Sequence, residues 1–308
     1  MKGMFIGWDD YKKVIDGISS CGFKWIRDLA LFERTPSGGF FVRKYDLEWM
    51  RYAKSKGIEP IMLIDFQAST PIPEQVAIAK AYAEDTKGLV NVFELSNEPF
   101  NFGGWLQAYG GNYTGRNADG STAKWVLEFL KTSNAVADAI RPIRPDAHII
   151  GLGGCSAPLN FRMLRTGVSK SIDGIVEHPY TFSMPPERMP IGAPVERVYG
   201  IRAGDSDFSF KGLMDSYDNE IANAGVPRKI WVTETGFSSF YEDPSSIGSL
   251  YMGYTEEAQA AYISRRFLQC LVQPQIELVC QYDFLDDRGG NPVDPEANFG
   301  LLRSDFSP

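Results

Sequence analysis

Histidine and cysteine are scarce in this chain of 308 residues, and each scarcity closes off a class of chemistry. Two histidines, His148 and His178, are too few for a histidine-rich zinc centre. Four cysteines, Cys21, Cys155, Cys270 and Cys280, lie far apart in mostly apolar surroundings. Buried free thiols are therefore expected, not a disulfide framework, and no metal site is expected. Basic residues are in deficit as well: 31 Lys and Arg against 39 Asp and Glu leave a formal charge of -8, which argues against nucleic acid or an anionic membrane surface as partner. No run approaches the length of a membrane span, and the first residues do not resemble a signal peptide.

What is present points to an α/β chain. A hydrophobic fraction of 44% is enough for a substantial core, and residues 1–308 are expected to form one domain. Strand-like runs recur as MFIGW, FKWIRDL, IEPIMLID, VNVFELS, AHIIGLGG, IDGIVEHPY, KIWVTETGF and IELVCQYDF. Most are short and apolar, as parallel strands covered on both faces should be. Helical patterns lie between them. Val14, Ile15, Ile18 and Cys21 share a stripe that Gly22 ends, Pro73 opens a helix that Gly88 closes, and Leu213, Tyr217 and Ile221 mark another, stopped by Gly225. Eight strands with intervening helices predict a (β/α)8 TIM barrel. The rival, an open doubly wound sheet, lacks a glycine-rich phosphate loop after an early strand. Turns from helix into strand are short, whereas three connections from strand into helix are long, roughly 99–121, 179–211 and 236–254. In a barrel these rise from the C-terminal face of the strands, where they would wall a cleft. Only MFIGW precedes the first helix, and Pro308 falls where a closing eighth helix is expected, so the barrel is expected to lack that helix in this chain.

The stretch VFELSNEPFNF, residues 92 to 102, raises the functional question. An apolar strand runs into Asn97-Glu98-Pro99, and Pro99 biases the Glu98 backbone away from helix toward extended geometry. Glu98 closes the fourth strand-like run, and Glu234, in WVTETGF, closes the seventh. Both are expected at the same barrel mouth. Two carboxylates on one cleft are what glycosidic-bond cleavage needs: one protonates the departing oxygen, the other meets the cationic anomeric carbon. At ~5 Å apart the second attacks directly and configuration is retained; a wider gap admits water and inverts it. The aromatic residues that follow, Phe100, Phe102, Trp105, Tyr109 and Tyr113, offer flat faces for the apolar sides of sugar rings.

Asn97-Glu98-Pro99 at the end of the fourth strand, with Glu234 after the seventh, resembles clan A of the glycoside hydrolases, the 4/7 barrels, along essentially the whole chain. QYDFLDDRGGNP and NFGLLRSDFSP look most like the eighth-strand region of family 39-type and related endoglycosidases. The resemblance implies a retaining hydrolase of β-linked oligo- or polysaccharide, working without cofactor, with Glu98 as general acid/base and Glu234 as nucleophile. It implies that Asn97 donates to the sugar 2-hydroxyl, that Arg27 lies near the nucleophile as a fixed cation, and that Tyr180, in EHPY with His178, points its hydroxyl at the nucleophile. Where the clan carries a tryptophan beneath the sugar on the eighth strand, CQYDF offers Tyr282 or Phe284. Substrate-binding residues are thus expected at Arg27, Asn97, Trp105, His178, Tyr180 and Tyr282. A transglycosylase of the same fold, and a carbohydrate-binding barrel without turnover, stay open as alternatives. So do oligomeric state and location, with secretion after leader removal slightly favoured.

Each candidate has a plainer structural role. Glu98 could be a solvated strand-end charge, Arg27 a rim salt bridge, His178 a loop-orienting ring, and Trp105 a cover for its own glycine-rich loop. Glu94 and Glu177, inside strands, are expected to point outward or pair within the barrel. Asp286 and Asp287 lack the regular oxygen spacing of a calcium loop and are read as a turn.

Overall fold

In the computed structural model, residues 10–190, 193–205, 207–243, 251–287 and 289–308 are described. MFIGW, read as the first strand, lies outside them, as does part of the 236–254 loop. Two compact units are present. The first holds the residues up to Cys155 with Leu159–Val176 and Ile221–Lys229; the second holds Ser156–Pro158, Glu177–Glu220 and Ile230–Pro308.

In the first unit, helix α1 (Tyr11–Ser20) starts where the Asp10 carboxylate accepts the Lys13 amide. It buries Val14, Ile15 and Ile18. Cys21 caps its C-terminal end and is exposed, contrary to the expectation of a buried thiol; Cys155 and Cys270 are buried and Cys280 is partly so. The stripe ends one residue early because the helix does. Strand β1 (Trp25–Leu29) leads into a hairpin of β2 (Phe32–Arg34) and β3 (Phe40–Val42), then helix α2 (Lys44–Ser55). Strand β4 (Glu59–Ile64), helix α3 (Ile72–Asp85), strand β5 (Val92–Leu95), the short helix α4 (Trp105–Tyr109) and helix α5 (Lys124–Ile140) follow. Strand β6 (His148–Gly151), helix α6 (Ala157–Gly167) and strand β7 (Gly174–Glu177) continue the alternation.

β1 pairs with β4, β4 with β5, β5 with β6 and β6 with β7, all parallel. Such strands are covered on both faces, which is why β5 is buried at every position despite containing Glu94.

The second unit carries α7 (Ala193–Tyr199), most of α8 (Phe210–Asn223), β8 (Lys229–Thr235) from Ile230 onward, α9 (Glu256–Leu271) and β9 (Ile276–Gln281). β8 and β9 are parallel partners. The Thr255 hydroxyl accepts the Ala258 amide to cap α9, and Glu256 and Glu257 favour its positive N-terminal end. No α-helix follows β9 among the described residues.

The sheet order is β1-β4-β5-β6-β7-β8-β9, so each strand lies beside the next parallel strand of the chain. Right-handed crossovers in unbroken sequence order put the connecting helices of such a sheet on one face. This is (β/α)-barrel order; a doubly wound sheet would reverse direction partway.

Helix α9 contains an unusual burial. Arg266 is fully enclosed, its Nε and Nη1 without hydrogen-bond partners among the described residues, its guanidinium 4.1 Å from the Phe210 ring centroid and its Nη2 3.7 Å from the Met189 sulfur. Desolvation pushes its pKa down to about 10. A buried cation without a hydrogen-bonded carboxylate is an energetic liability. Arg266→Met keeps the stem and removes the charge, and should raise stability by about 1–2 kcal/mol, seen as a higher urea midpoint at unchanged slope.

Candidate active site

The residues singled out in the sequence fall into two clusters, one in each unit. In the first, β1 supplies Arg27 and β5 supplies Glu94, followed directly by Ser96, Asn97 and Glu98. The Arg27 guanidinium grips the buried Glu94 carboxylate with Nε at 2.6 Å and Nη2 at 2.7 Å. The same Nη2 donates to the Asn97 side-chain oxygen at 2.7 Å. Arginine only donates, so this bond fixes the Asn97 amide with its oxygen inward and its NH2 as the donating end. Glu94 therefore pairs inside the protein, as expected, and it does more than fill space. It anchors the arginine that orients Asn97, a role that 67 residues of separation hide from sequence reading. Glu94→Ala would strip a nine-tenths buried cation of its bidentate partner, at about 3 kcal/mol or more. Glu94→Gln should lose less, and chemical denaturation measures both.

Glu98 departs from the expected extended backbone. Its φ is +37°, and Ser96 two residues earlier has φ +65°. Such geometry costs a residue with a side chain about 1–3 kcal/mol and persists only when its surroundings impose it. Here the Glu98 N–H donates to the Gly153 carbonyl at 2.6 Å, and the Glu98 carbonyl accepts from Asn101 and Phe102 at 2.7 and 2.9 Å. The Asn101 amide donates to the Glu98 carboxylate at 2.9 Å.

Trp105 is placed differently from its sequence reading. It is 1% exposed, stacked on Tyr109 with centroids 6.1 Å apart and set edge-on to Phe129 at 5.4 Å. A ring so enclosed has no face for a sugar, so the substrate-contact expectation is corrected: Trp105 seals its own loop. Gly103 permits this, because a Cβ there would lie 2.5 Å from the Phe66 carbonyl and 2.6 Å from the indole nitrogen. Tyr113 is exposed, and Phe100 and Phe102 are half-buried.

In the second cluster, Glu234 is the penultimate residue of β8, and its side chain is 11% exposed. The Tyr180 hydroxyl donates to its Oε2 at 3.0 Å, and His178 Nδ1 lies 3.5 Å from the same oxygen. The other His178 nitrogen meets the Thr233 hydroxyl at 3.1 Å. Thr233 was not singled out in the sequence; it sets the imidazole's orientation from the strand that carries the glutamate. Tyr180 sits edge-on to Tyr251, Tyr282 and Phe299, with centroids 6.3, 6.3 and 5.9 Å away. Burial, with the nearby Glu234 and Asp283 charges adding, drives the Tyr282 phenol far above its ordinary pKa, so it stays a neutral donor. Tyr282 comes this close to β8 because Gly236 lacks a side chain: a Cβ there would lie 1.9 Å from the Tyr282 carbonyl oxygen. Phe284, the other sequence candidate, is 5% exposed. Glu177 is bonded by the Tyr217 hydroxyl, and the Asp286 carboxylate accepts the Gly300 amide at 2.8 Å, as a structural turn should.

No family model matches the sequence, and no curated protein sequence matches it. Solved structures do. A family 39 glycoside hydrolase from the gut symbiont Bacteroides cellulosilyticus WH2 superposes with a TM-score of 0.72 at 22% identity, over 97% of this chain and 58% of that one. The fold is shared with that glycoside hydrolase. A family 1 β-glucosidase from Thermotoga maritima (TM-score 0.58, 14% identity) covers 97% of this chain, which spans 82% of the glucosidase. A β-glucuronidase from Bacteroides uniformis (TM-score 0.60, 12% identity) covers 98% of this chain, which spans 32% of that enzyme. Among the described residues, β1 and β4 to β9 supply the parallel strands, and the β2–β3 hairpin forms a separate two-stranded sheet. Among the described residues, no helix is long and apolar enough to cross a membrane.

Proposed function

We propose that the protein is a retaining glycoside hydrolase that cleaves β-glycosidic bonds in an oligo- or polysaccharide, with residues 1–308 acting as one catalytic domain. Glu98 is the acid/base and Glu234 the nucleophile. The observation that carries the proposal is the pair of strand-end glutamates, just past β5 and at the end of β8, in a fold shared with enzymes named as β-glucosidase and β-glucuronidase. Parallel strands of one sheet deliver their C-terminal ends to one side, where barrel enzymes do their chemistry.

The different surroundings of the two glutamates support different roles. The tyrosine hydroxyl on Glu234 Oε2 and the neighbouring imidazole hold that carboxylate in one orientation, as a nucleophile requires. In the first step a Glu234 oxygen bonds to the anomeric carbon while the bond to the departing oxygen breaks and Glu98 gives that oxygen its proton. In the second, Glu98 takes a proton from water, the water oxygen bonds to the anomeric carbon, and the glycosyl–Glu234 bond breaks. Asn97, its amide turned by Arg27, is suited to donate to the 2-hydroxyl, a contact that tightens as charge develops at the ring. Tyr180 and Tyr282 lend an aromatic and hydroxyl-bearing wall.

The test is a panel of aryl β-glycosides and β-linked polysaccharides, assayed for released reducing ends and for transfer products. Release with the β-configured sugar formed first supports the reading. Glycan binding without turnover on any substrate would replace it with a carbohydrate-binding barrel, and dominant transfer would make the protein a transglycosylase.

A further inference from the structure

We propose that the left-handed turn Leu152-Gly153-Gly154, at the exit of β6, is the device that positions Glu98, with Gly153 as its key residue. The inference rests on the assignment of Glu98 as the acid. Three consecutive residues here have positive φ, +79° at Leu152, +70° at Gly153 and +64° at Gly154. A leucine at +79° is strained, and it is held there by full burial and by the Cys155 thiol, which lies 3.1 Å from its carbonyl. The buried Asn160 amide donates to the carbonyls of both Cys155 and Val176 at 3.1 Å, tying the turn's far end to β7 and α6. Rigid elements thus fix the turn from behind.

Its front is the Gly153 carbonyl, which accepts the Glu98 N–H at 2.6 Å. That bond satisfies the amide of a residue whose own φ of +37° is unfavourable. It therefore helps to impose the backbone geometry from which the carboxyl is launched. The position also demands glycine twice over. Its φ disfavours any side chain, and a Cβ would sit 2.8 Å from Pro99 Cδ and 3.5 Å from the Glu98 nitrogen. The three nearest atoms that an added methyl would meet all belong to Glu98 and Pro99, so it would push on that segment. Gly153 touches no reacting atom in this account; it acts through Glu98.

The experiment uses two aryl β-glycosides, one with a leaving group that needs protonation (phenyl) and one that does not (2,4-dinitrophenyl). Gly153→Ala should lower kcat/KM on the phenyl glycoside by about 10²-fold, the size expected for a misplaced acid. On the dinitrophenyl glycoside it should stay close to wild type. Adding Pro99→Ala removes the atom the new methyl strikes and should recover part of the phenyl activity. Gly88→Ala, another positive-φ glycine but with open space around it, controls for backbone strain alone and should show no leaving-group selectivity. If Gly153→Ala does not fold, Cys155→Ala, which removes the thiol's hold on the Leu152 carbonyl, should show the same selectivity at smaller size. Equal losses on both glycosides, in Gly153→Ala or in Cys155→Ala, overturn the positioning role while leaving the hydrolase reading intact. A wild-type protein that cleaves neither glycoside nor any β-glycan overturns the acid assignment itself, and this inference with it.

Discussion

Glu234→Gly is expected to abolish turnover of β-glycosides, by roughly 10⁵-fold or about 7 kcal/mol of barrier, while oligosaccharide binding persists. Binding should survive because Arg27 and Asn97 remain: the Arg27 guanidinium donates to the Glu94 carboxylate and to the Asn97 side-chain oxygen, which holds the Asn97 amide in place. Loss of the carboxylate leaves a space lined by the Tyr180 hydroxyl and His178. Azide or formate should enter it as surrogate nucleophile and restore cleavage of an activated aryl β-glycoside. Azide would then attack the face the carboxylate used, in one displacement, and give an α-glycosyl azide. Calorimetry with a β-linked oligosaccharide checks the retained binding, and proton NMR of the product reads the anomeric configuration. Loss of binding together with turnover would mean that Glu234 holds the substrate instead of attacking it.

Both glutamates were legible because parallel strands in this fold are short apolar runs, so an acid at a strand exit stands out against its background. The barrel order was legible for the same reason, since VFEL, GIVE and most of KIWVTET are buried at every position. What was not legible depended on partners distant in the chain. Pro99 biases Glu98 toward extended backbone through contacts between adjacent residues, yet a hydrogen bond to Gly153, 55 positions later, goes with a positive φ. Trp105 followed a proline-and-glycine stretch and looked exposed, whereas α5 offers Phe129 to cover it. Thr233 had no feature to mark it, because its role lies in the imidazole it meets. Cys21 fitted the α1 stripe by period, but the helix ended before it. The β2–β3 hairpin went unread because its strands are three residues each, too short for alternation to register.

Glu98→Ala should fail differently from Glu234→Gly, and the difference assigns the roles. On the phenyl glycoside kcat/KM should fall by about 10³-fold, within the range a general acid contributes. On the dinitrophenyl glycoside the first step should run at nearly wild-type rate, since that leaving group departs without a proton. The glycosyl-enzyme should then accumulate, because the same residue would have served as base for the incoming water, and a burst followed by slow turnover is the expected time course. Azide, which needs no base, should relieve the slow step and yield a β-glycosyl azide, opposite in configuration to the product from Glu234→Gly. The pH profile gives a second reading. In wild type the alkaline limb should report loss of the Glu98 proton, and in Glu98→Gln that limb should vanish for the dinitrophenyl substrate. Azides of one configuration from both variants would overturn the assignment of nucleophile and acid. An unchanged alkaline limb in Glu98→Gln would hand the acid role to another residue and leave the strained Glu98 backbone to be explained by structure alone.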